Sequence, residues 1–382
     1  MEIKPSKEIK VAIVHDYLRT YGGGERVLEG LHNIWPKAKI FVATADYKRM
    51  DIFGDKFKKL GIRTSWAQKI PFFVKKPLLY RFLLPLIWSS IKIPKVDVVI
   101  SSSGSNIAKG VRIPKGAIHI CYCHTPPRFL YALETETTYL DNPLIKFITL
   151  PATAMLKFYD RRTSDKVDLF IANSENVKLR IKKVYKKDAT IVYPPCSFPK
   201  KSIKTTRGSY YLVVSRLVRY KHVDLIIRAF NKLKLPLVII GGGKEENKLK
   251  KMASDNIQFL GQVSDKRLHE AYAGCRALVV AAKDEDFGMT AVEAMGFGKP
   301  VVAFYSGGYK EIVVSPKTGI FFKRLTSKSL CDAINYFESR SFNPKAIKEY
   351  AKKFLEDNFK RRMKKIVTDV IRRRKYGENT FI

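Results

Sequence analysis

The sequence predicts an α/β protein with two doubly wound parallel sheets, one in each half of the chain. Short, valine-rich apolar runs alternate with amphipathic helical stretches at a spacing of roughly 25–35 residues, the scale of a strand–helix–strand unit. The pattern restarts at Tyr210, after a polar stretch at 197–209. A chain of 382 residues is long for one core and comfortable for two domains.

The first half holds six predicted strands, most of them separated by helical stretches. It opens with the strand "KVAIVHDYL", the turn "YGGGE" and the helical pattern "ERVLEGLHNIW". The other strands are "KIFVATA", "VDVVISSS", "AIHICYCH", "DLFIANS" and "ATIVYPP". This alternation predicts a parallel sheet in a first domain over residues 1–200.

The second half repeats the same order over residues 208–355. Its predicted strands are "YYLVVSRL", "PLVIIGGG", "IQFLGQV", "ALVVAA" and "PVVAFY". Residues 356–382 lack any strand pattern and are predicted to form a basic helix. Because ligands of open parallel sheets bind at the carboxyl ends of the strands, we expect the two sheets to face a central cleft with the site residues at those ends.

The charge of the chain narrows the classes of partner. Lys and Arg number 72 against 35 Asp and Glu, a formal net charge of +37. Such a charge attracts nucleic acid, anionic membranes or nucleotide-linked substrates, and the alternative is a well-solvated surface. The excess is spread along the whole chain and no nucleic-acid motif is present, which makes nucleic acid the weakest of these partners.

The remaining composition predicts a cytoplasmic protein. The five cysteines form no zinc or disulfide pattern, as expected in a reducing compartment. The N-terminus has no signal-peptide core, and no apolar run reaches transmembrane length. One segment, Trp66–Lys95, mixes Trp, Phe and Leu with Lys and Arg, a composition suited to peripheral contact with an anionic membrane at its inner face. The alternative for its apolar residues is a buried helix pair.

Two cations follow the first strand of the second half. Ser215, Arg216 and Lys221 lie in "VSRLVRYKH", where a planar guanidinium and a point-charge ammonium suit a diphosphate. In the first half, the turn at 22–24 permits close approach of a phosphate to a helix N-terminus, or is only a tight turn.

Histidines end two predicted strands of the first half. His124 directly follows the strand of "CYCHTPPRF", where it is suited to orienting or polarising a substrate near neutral pH. His15, next to Asp16, ends the first strand and is the competing candidate. The alternative for either histidine is a purely structural role.

Carboxylates follow the strand "RALVVAA" in an otherwise basic chain. Glu285 is predicted in the loop after it, and Glu293 lies eight positions later inside a small, apolar helix that begins at Gly288. Two carboxylates that accept hydrogen bonds from sugar hydroxyls, with helix N-terminal amides between them for a phosphate, suit a nucleotide-sugar. A solvated acidic loop does not explain the embedded Glu293.

At these residues the sequence resembles the retaining glycosyltransferases of family 4, which have the GT-B fold of two Rossmann-like domains. The matching stretches include "YGGGERV", "YCHTPPRFLY", "VSRLVRYKHVDLIIRAF", "FLGQVSDKRLHEAYAGCRALVVAA" and "EDFGMTAVEAMGFGKPVVAFYSGGYKEIV". They occur in family order over roughly residues 10 to 320. The forms "YCHTPPR" and "YPP" look closest to the mannosyltransferase-like branch that builds surface polysaccharides.

The resemblance implies roles for four catalytic residues. Arg216 and Lys221 would hold the donor diphosphate, Glu285 would bind hydroxyls of the transferred sugar, and His124 would contact that sugar from the acceptor domain. His15 and Asp16 are the acceptor-side candidates. The C-terminal helix is expected to cross back onto the first domain.

The resemblance also implies a donor site built largely of backbone groups. Glu293 would bind the ribose, and the backbone near Val263 the base. The residues "MTA" at 289–291 differ from those usual in the family, so the resemblance does not fix the identity of the donor. The remaining implied donor contacts are Gly23, Gly24, Ser215, Phe287, Gly288, Met289 and Thr290.

These features predict a metal-independent hexosyltransferase without a cofactor. The nucleotide-diphosphate sugar, GDP-mannose in the first instance, is a substrate, and the acceptor is a glycan or lipid-linked hydroxyl. The alternatives are transfer from UDP-glucose or another hexose donor and, more remotely, a basic nucleic-acid-binding protein. The sequence does not predict an oligomeric state.

Overall fold

A computed structural model describes residues 8–19, 21–47, 60–75, 77–131, 143–198 and 208–376 of the chain. They form two compact units. The first unit contains the described residues up to Pro195 together with those from Asp357 onward, and the second contains Cys196–Glu356. Part of the predicted linker, at 199–207, lies outside the described residues.

The first unit is built on a seven-stranded sheet in which every neighbouring pair is parallel. The strand order is β3-β2-β1-β4-β5-β6-β7. All six predicted strands are present, and the two-residue β3 has no apolar pattern that would have predicted it. The strands are β1 (Val11–His15), β2 (Lys39–Val42), β3 (Arg63–Thr64), β4 (Val98–Ser103), β5 (Ile118–Cys123), β6 (Leu169–Ala172) and β7 (Ala189–Ile191).

Helices cover both faces of this sheet, which explains why β1, β4 and β5 are buried along their whole length. The α-helices of the first unit are α1 (Gly23–Ile34), α2 (Pro71–Lys75), α3 (Leu84–Ser90), α4 (Pro143–Ser164), α5 (Glu175–Tyr185) and the C-terminal helix Glu356–Lys375, with 3₁₀ turns at Trp66–Lys69, Pro77–Leu83, Ala108–Gly110 and Arg128–Leu130.

The C-terminal helix belongs to the core of the first unit. Phe359, Met363, Val367 and Val370 are buried at helical spacing in the same cluster as Ile13 of β1. The Phe359 ring meets the Tyr122 ring edge-on, with ring centroids 5.9 Å apart. The C-terminal helix therefore packs on the first unit, as the sequence analysis expected.

The second unit is built on a six-stranded, wholly parallel sheet in the order β10-β9-β8-β11-β12-β13. Numbered within this unit, the order is 3-2-1-4-5-6, that of dinucleotide-binding folds. The strands are β8 (Tyr210–Val214), β9 (Leu237–Ile240), β10 (Ile257–Gly261), β11 (Cys275–Val280), β12 (Val301–Phe304) and β13 (Gly319–Phe322).

Three helices of this unit, Val223–Leu233, Glu246–Met252 and Ser327–Glu338, bury apolar side chains in one core with the sheet. In Val223–Leu233, for example, Val223, Ile226, Ile227 and Phe230 are all buried. The helices are α6 (Val223–Leu233), α7 (Glu246–Met252), α8 (Asp265–Gly274), α9 (Met289–Gly296), α10 (Tyr309–Ile312), α11 (Ser327–Glu338) and α12 (Pro344–Ala351), followed by α13, the C-terminal helix already given.

The chain enters the second unit at Cys196, within the domain predicted to extend to residue 200. The Cys196 amide donates to the Phe354 carbonyl over 3.2 Å, which attaches this stretch to the end of the second unit. The Phe198 ring packs against Gly296, where an added Cβ would lie 2.2 Å from the ring. These contacts attach Cys196 and Phe198 to the second unit. No local sequence pattern predicts them.

The strand order of each sheet places a crevice at a defined position. In the first sheet the order reverses between β1 and β4, and in the second between β8 and β11. Neighbouring strands whose connections leave in opposite directions open a crevice at their carboxyl ends, where ligands of such sheets bind. The predicted fold class of two Rossmann-like parallel-sheet domains is confirmed.

Candidate active site

The second unit brings Lys221 and Glu285 together beyond the ends of β8 and β11. Lys221 Nζ lies 2.5 Å from Glu285 Oε2, although the residues are 64 positions apart. Their side chains are only 16% and 15% exposed, so the pair is largely shielded from water. Burial opposes the charge on Lys221, but Glu285 and the Tyr220 hydroxyl outweigh it, and the pKa of Lys221 lies above its ordinary value. Lys221 is therefore a charged donor.

The loop that carries Glu285 is clamped to the turn after β12. The Gly308 amide donates to the Glu285 carbonyl over 2.8 Å, and the Asp284 amide donates to Ser306 Oγ over 2.9 Å. Gly307 has φ +57°, and a Cβ there would lie 2.4 Å from the backbone nitrogen and oxygen of Glu285. Only glycine permits this approach without rearrangement, so the turn fixes where the Glu285 backbone lies.

Tyr309 also contacts Glu285, and the sequence analysis did not predict it. Its hydroxyl donates to Glu285 Oε2 over 3.2 Å, and its ring is 2% exposed. Burial, and then the charge of Glu285, hold the pKa of Tyr309 well above its ordinary value, so the hydroxyl stays a donor. The "SGGYKE" stretch was the available signal, because a double glycine after a strand marks a close backbone approach.

Arg216 lies on the same strand end as Lys221. Its guanidinium donates to the Tyr220 hydroxyl over 2.9 Å, and the Tyr220 ring lies 5.0 Å from Lys221 Nζ. Ser215 begins this turn and donates through Oγ to the Arg216 carbonyl over 3.1 Å. The structure thus gathers both predicted cations around one buried tyrosine.

The helix after the Glu285 loop begins at the predicted place. Gly288 precedes it with φ +104°, and a Cβ there would lie 2.7 Å from the Tyr309 ring, which explains the glycine. Phe287 is buried against the Phe354 ring, whereas Met289 and Thr290 are half-buried at the first turn. The N-terminal end of this helix, with its partial positive charge, therefore starts beside the Glu285 loop.

Glu293 is hydrogen-bonded to the preceding helix, α8. It is 4% exposed and accepts a hydrogen bond of 2.9 Å from the Tyr272 hydroxyl of α8. Val263 lies in the loop after the edge strand β10, just before α8. The predicted donor contacts of the second unit therefore follow three different strands, β8, β10 and β11.

In the first unit the predicted histidines meet at a serine. Ser102 Oγ lies 2.9 Å from His15 Nδ1 and 2.7 Å from His124 Nε2, so one hydroxyl joins both rings. The residues end β1, β4 and β5, which are adjacent in the sheet. Asn173 holds the His124 backbone by donating to its carbonyl over 3.0 Å. Ser102 was not predicted, although the run "ISSSG" places hydroxyls at a strand end.

The glycine turn of the first unit passes over these two rings. A Cβ on Gly24 would lie 3.5 Å from His15 Cε1 and 3.8 Å from His124 Nε2. Glu25 Oε2 accepts a hydrogen bond of 2.9 Å from the Gly22 amide, which fixes the start of α1 beside Gly23. The predicted phosphate-binding turn and both histidines therefore occupy one place in the first unit.

Asp16 holds a loop of the first unit. Its two carboxylate oxygens accept hydrogen bonds of 3.0, 2.9 and 2.9 Å from the backbone amides of Gly104, Asn106 and Ala108. Burial raises the pKa of Asp16 above its ordinary value, although these amides and His15 oppose the shift. The carboxylate closes the loop after β4, and its acceptor-side role stays a prediction.

The described residues show no group of three or more His, Cys, Asp and Glu side chains arranged to hold a metal ion. Metal independence stays a prediction. No helix in the described ranges is long and apolar enough to cross a membrane. What the second unit offers chemically is two cationic donors and one oriented carboxylate, a combination that binds a diphosphate next to hydroxyl groups.

Comparison with known proteins identifies the second unit. Residues 197–354 match the family of glycosyl transferases group 1. The chain is 31% identical over 206 residues to the uncharacterized glycosyltransferase MJ1178 of Methanocaldococcus jannaschii, an alignment that covers 51% of this chain and 57% of that relative. The chain thus spans little more than half the length of MJ1178.

Longer but weaker matches cover most of the chain. It is 23% identical to the alpha-1,3/1,6-mannosyltransferase ALG2 of Candida glabrata, over 81% of this chain and 79% of that one. Among solved structures, Anabaena Alr3699/HepE in complex with UDP and glucose superimposes with a TM-score of 0.67, at 15% identity, over 94% of this chain and 100% of that one. This structural match supports the GT-B fold.

The matched domain, the fold and the relatives agree with the resemblance found in the sequence. Residues 197–354 match the glycosyl transferases group 1 family, the chain has the GT-B fold, and it is similar to glycosyltransferases, mannosyltransferases among them.

Proposed function

We propose that the protein is a retaining, metal-independent hexosyltransferase that moves mannose from GDP-mannose to a hydroxyl of a glycan or lipid-linked acceptor. The observation that carries the proposal is the Lys221–Glu285 pair, with Arg216 on the same strand end, inside a group 1 domain. Relatives named as mannosyltransferases, ALG2 among them, favour mannose as the sugar.

Charge stabilisation of the leaving group is the main task of the second unit in this proposal. Arg216 supplies a planar fork and Lys221 a point charge to the diphosphate, whose negative charge grows as the bond to the sugar breaks. Lys221 carries three N–H donors, so it can hold Glu285 and a phosphate oxygen at once. The N-terminal end of the helix at 289–296 adds a further positive field.

Orientation of the sugar is the task of Glu285. Its carboxylate accepts from Lys221 and Tyr309, and its remaining lone pairs accept from sugar hydroxyls. Glu293 binds the ribose hydroxyls while sharing its carboxylate with Tyr272. In the first unit, His124 contacts the substrate, and its ring is oriented by Ser102.

The reaction exchanges one bond at the anomeric carbon for another on the same face. The bond from that carbon to the diphosphate oxygen breaks with its electron pair, and the acceptor oxygen forms the new bond. The acceptor proton passes to the departing phosphate, so atoms and charge balance without a metal or a protein nucleophile.

A second donor class is favoured by one observation. The structural neighbour from Anabaena was solved with UDP and glucose, so UDP-glucose is the alternative donor. The net charge of +37 also keeps nucleic acid as a remote alternative. Neither alternative accounts for the mannosyltransferase-named relatives.

A panel of nucleotide-sugars, assayed for release of the nucleoside diphosphate and for transfer, tests the proposal. We expect turnover of GDP-mannose in excess of UDP-glucose, and transfer reduced by on the order of 10²–10³ in Glu285→Gln with the fold intact. Asp224→Asn, which loses only a surface ion pair with Arg228, is the matched control. Near-normal turnover by Glu285→Gln would remove Glu285 from the mechanism, and preference for UDP-glucose would replace the donor.

A further inference from the structure

Large apolar side chains are exposed in two neighbouring parts of the first unit. The Trp66–Lys95 segment buries Tyr80, Leu84, Ile87 and Trp88, as the buried-helix alternative requires. Among the described side chains of this segment, four large apolar residues are nevertheless exposed. The exposed set in this segment, with the exposed fractions, is Trp66 38%, Phe72 55%, Phe82 52% and Leu86 61%. Of position 76 and the side chains of 77–79 nothing is described.

Helix α4, which the sequence analysis did not connect with a membrane, adds a larger exposed apolar face. Leu156, Asp160 and Thr163 are its buried side. At 100° per residue, the exposed apolar residues lie within an arc of about 160° on the opposite side. They are Phe147 76%, Ile148 66%, Leu150 57%, Met155 45% and Phe158 69% exposed.

The two parts are neighbours in the fold, because α4 packs against the turn Pro77–Leu83. Together they hold nine of the thirteen large apolar side chains found exposed among the described residues, which is a concentration and not the usual scatter. We call this region the apolar–basic surface, defined by the nine residues given above.

The exposed charges described within the two segments of the apolar–basic surface are cationic. In the Trp66–Lys95 segment the charged residues are all Lys or Arg, and Lys69, Lys75, Lys92 and Lys95 are exposed. Helix α4 has one acidic residue, Asp160, which is fully buried and paired with Lys109. Its exposed charges include Arg161 and Arg162. Within the described part of these two segments, the exposed apolar side chains therefore lie beside exposed cations, and the one acidic residue is buried.

We propose that the apolar–basic surface docks the protein onto an anionic lipid bilayer. Aromatic and aliphatic side chains enter the acyl boundary while Lys and Arg meet the headgroup charge, which is how interfacial, non-spanning attachment works. A second copy of this chain is disfavoured as the occupant, because it would bring together two molecules of +37 each. Nucleic acid is disfavoured because Ile148, Leu150 and Met155 have no ring on which a base stacks.

Vesicle sedimentation with the full-length protein tests this docking. We expect binding to phosphatidylcholine vesicles that contain phosphatidylglycerol, little binding to phosphatidylcholine alone, and weaker binding at high salt. Phe147→Ser combined with Phe158→Ser should lower the partition coefficient by roughly tenfold or more, because two rings no longer enter the bilayer.

The matched control combines Leu179→Ser with Tyr376→Ser. These side chains are 67% and 70% exposed in the same unit but lie outside the apolar–basic surface. Their loss should change the partition coefficient by less than about twofold. Phe72→Ser combined with Phe82→Ser, in the Trp66–Lys95 segment, must weaken vesicle binding as well. If the Phe147→Ser, Phe158→Ser variant does not fold, as judged by loss of its thermal unfolding transition, the Phe72→Ser, Phe82→Ser variant decides the test.

Three results would overturn the proposal. One is no binding to phosphatidylglycerol vesicles at low salt, and another is equal loss in the surface variants and the control. The third is a dimer in sedimentation velocity that the surface variants dissociate, which would make the surface a contact between copies. Because the assay needs neither donor nor acceptor, its failure leaves the proposed glycosyl transfer untouched.

Discussion

The two sheets carry different chemistry at the same topological position. Beyond β1 and β4, the first unit joins two histidines through the hydroxyl of Ser102. Beyond β8 and β11, the second unit joins an ammonium to a carboxylate, Lys221 to Glu285. Both clusters lie at the strand ends where the order of the sheet reverses. The backbone arrangement therefore fixes where a site lies and leaves its charge to the side chains.

The loops at the two positions are also held by opposite means. In the first unit a side chain holds the loop, since the Asp16 carboxylate accepts from three backbone amides. In the second unit the backbone holds it, through Gly307 and the Gly308 amide against Glu285. In the second arrangement the Glu285 carboxylate accepts from the side chains of Lys221 and Tyr309, whereas in the first the Asp16 carboxylate accepts from backbone amides. The carboxylate of the second unit thus faces a cation, and that of the first faces a loop.

The largest loss of activity is expected from removing the cation of the Lys221–Glu285 pair. Lys221→Met should lower kcat/KM with the nucleotide-sugar by on the order of 10²–10³, because the leaving diphosphate loses a donor and Glu285 loses its counter-charge. Steady-state kinetics on the donor that the panel identifies measures this.

A control separates this effect from loss of any ion pair. Lys250→Met removes a surface pair with Glu246 at 2.7 Å on a different helix, and activity should stay within about twofold of the unsubstituted protein. If Lys221→Met and Lys250→Met change kcat/KM equally little, the Lys221–Glu285 pair has only a structural role. The contrast between the two units then has no bearing on activity.

The next effect concerns the backbone clamp. Gly307→Ala should lower the free energy of unfolding of the second unit by about 3–4 kcal/mol, since the new Cβ meets the Glu285 backbone at 2.4 Å. Gly261→Ala is the matched control, because Gly261 has a similar φ of +63° and nothing within 4 Å of an added Cβ. It should lose only about 1 kcal/mol from backbone strain. Urea unfolding of both variants separates the cost of backbone strain from the cost of the contact with the Glu285 backbone. Equal losses of free energy in the two variants would show that the close approach of Gly307 to Glu285 contributes nothing to stability.

Several of the residues at the strand ends of the two units could be predicted from the sequence, and there is a physical reason why their partners could not. Strand ends can be located from apolar runs, so the positions of Lys221, Glu285 and His124 beyond strand ends were predicted from the sequence, and their roles stay predictions. Their partners Tyr309 and Ser102 were not, because each contact joins residues far apart in the chain and depends on strand order, which no local pattern specifies. Asp16 was placed correctly at a strand end, but its bonds to the loop at 104–108 depend on the path of that loop. The exposed face of α4 was missed because its apolar residues look the same in sequence as buried ones.

The smallest predicted effect concerns a buried histidine of the first unit. His119, on β5, is 1% exposed, and its Nε2 lies 2.9 Å from Ser101 Oγ. Burial lowers the pKa of His119 to about 4, with the charge of Lys109 adding to the shift. Between that value and its ordinary pKa of about 6.5, the unfolded chain binds more protons than the folded one. The free energy of unfolding should therefore rise with pH across this window, by about 3 kcal/mol in total, and fall on acidification.

His119→Gln isolates this contribution, because glutamine is polar and does not titrate. Urea unfolding of the first unit near pH 4 and near pH 7 should show a smaller pH-dependent difference in the variant than in the unsubstituted protein. An unchanged difference would mean that His119 is not the group that takes up the proton. The predicted result would instead show that burial keeps His119 neutral on β5, the strand whose end carries His124, whereas Lys221 of the second unit is held charged by Glu285. Burial without an acidic partner and burial beside a carboxylate would then account for the opposite protonation of these two basic side chains.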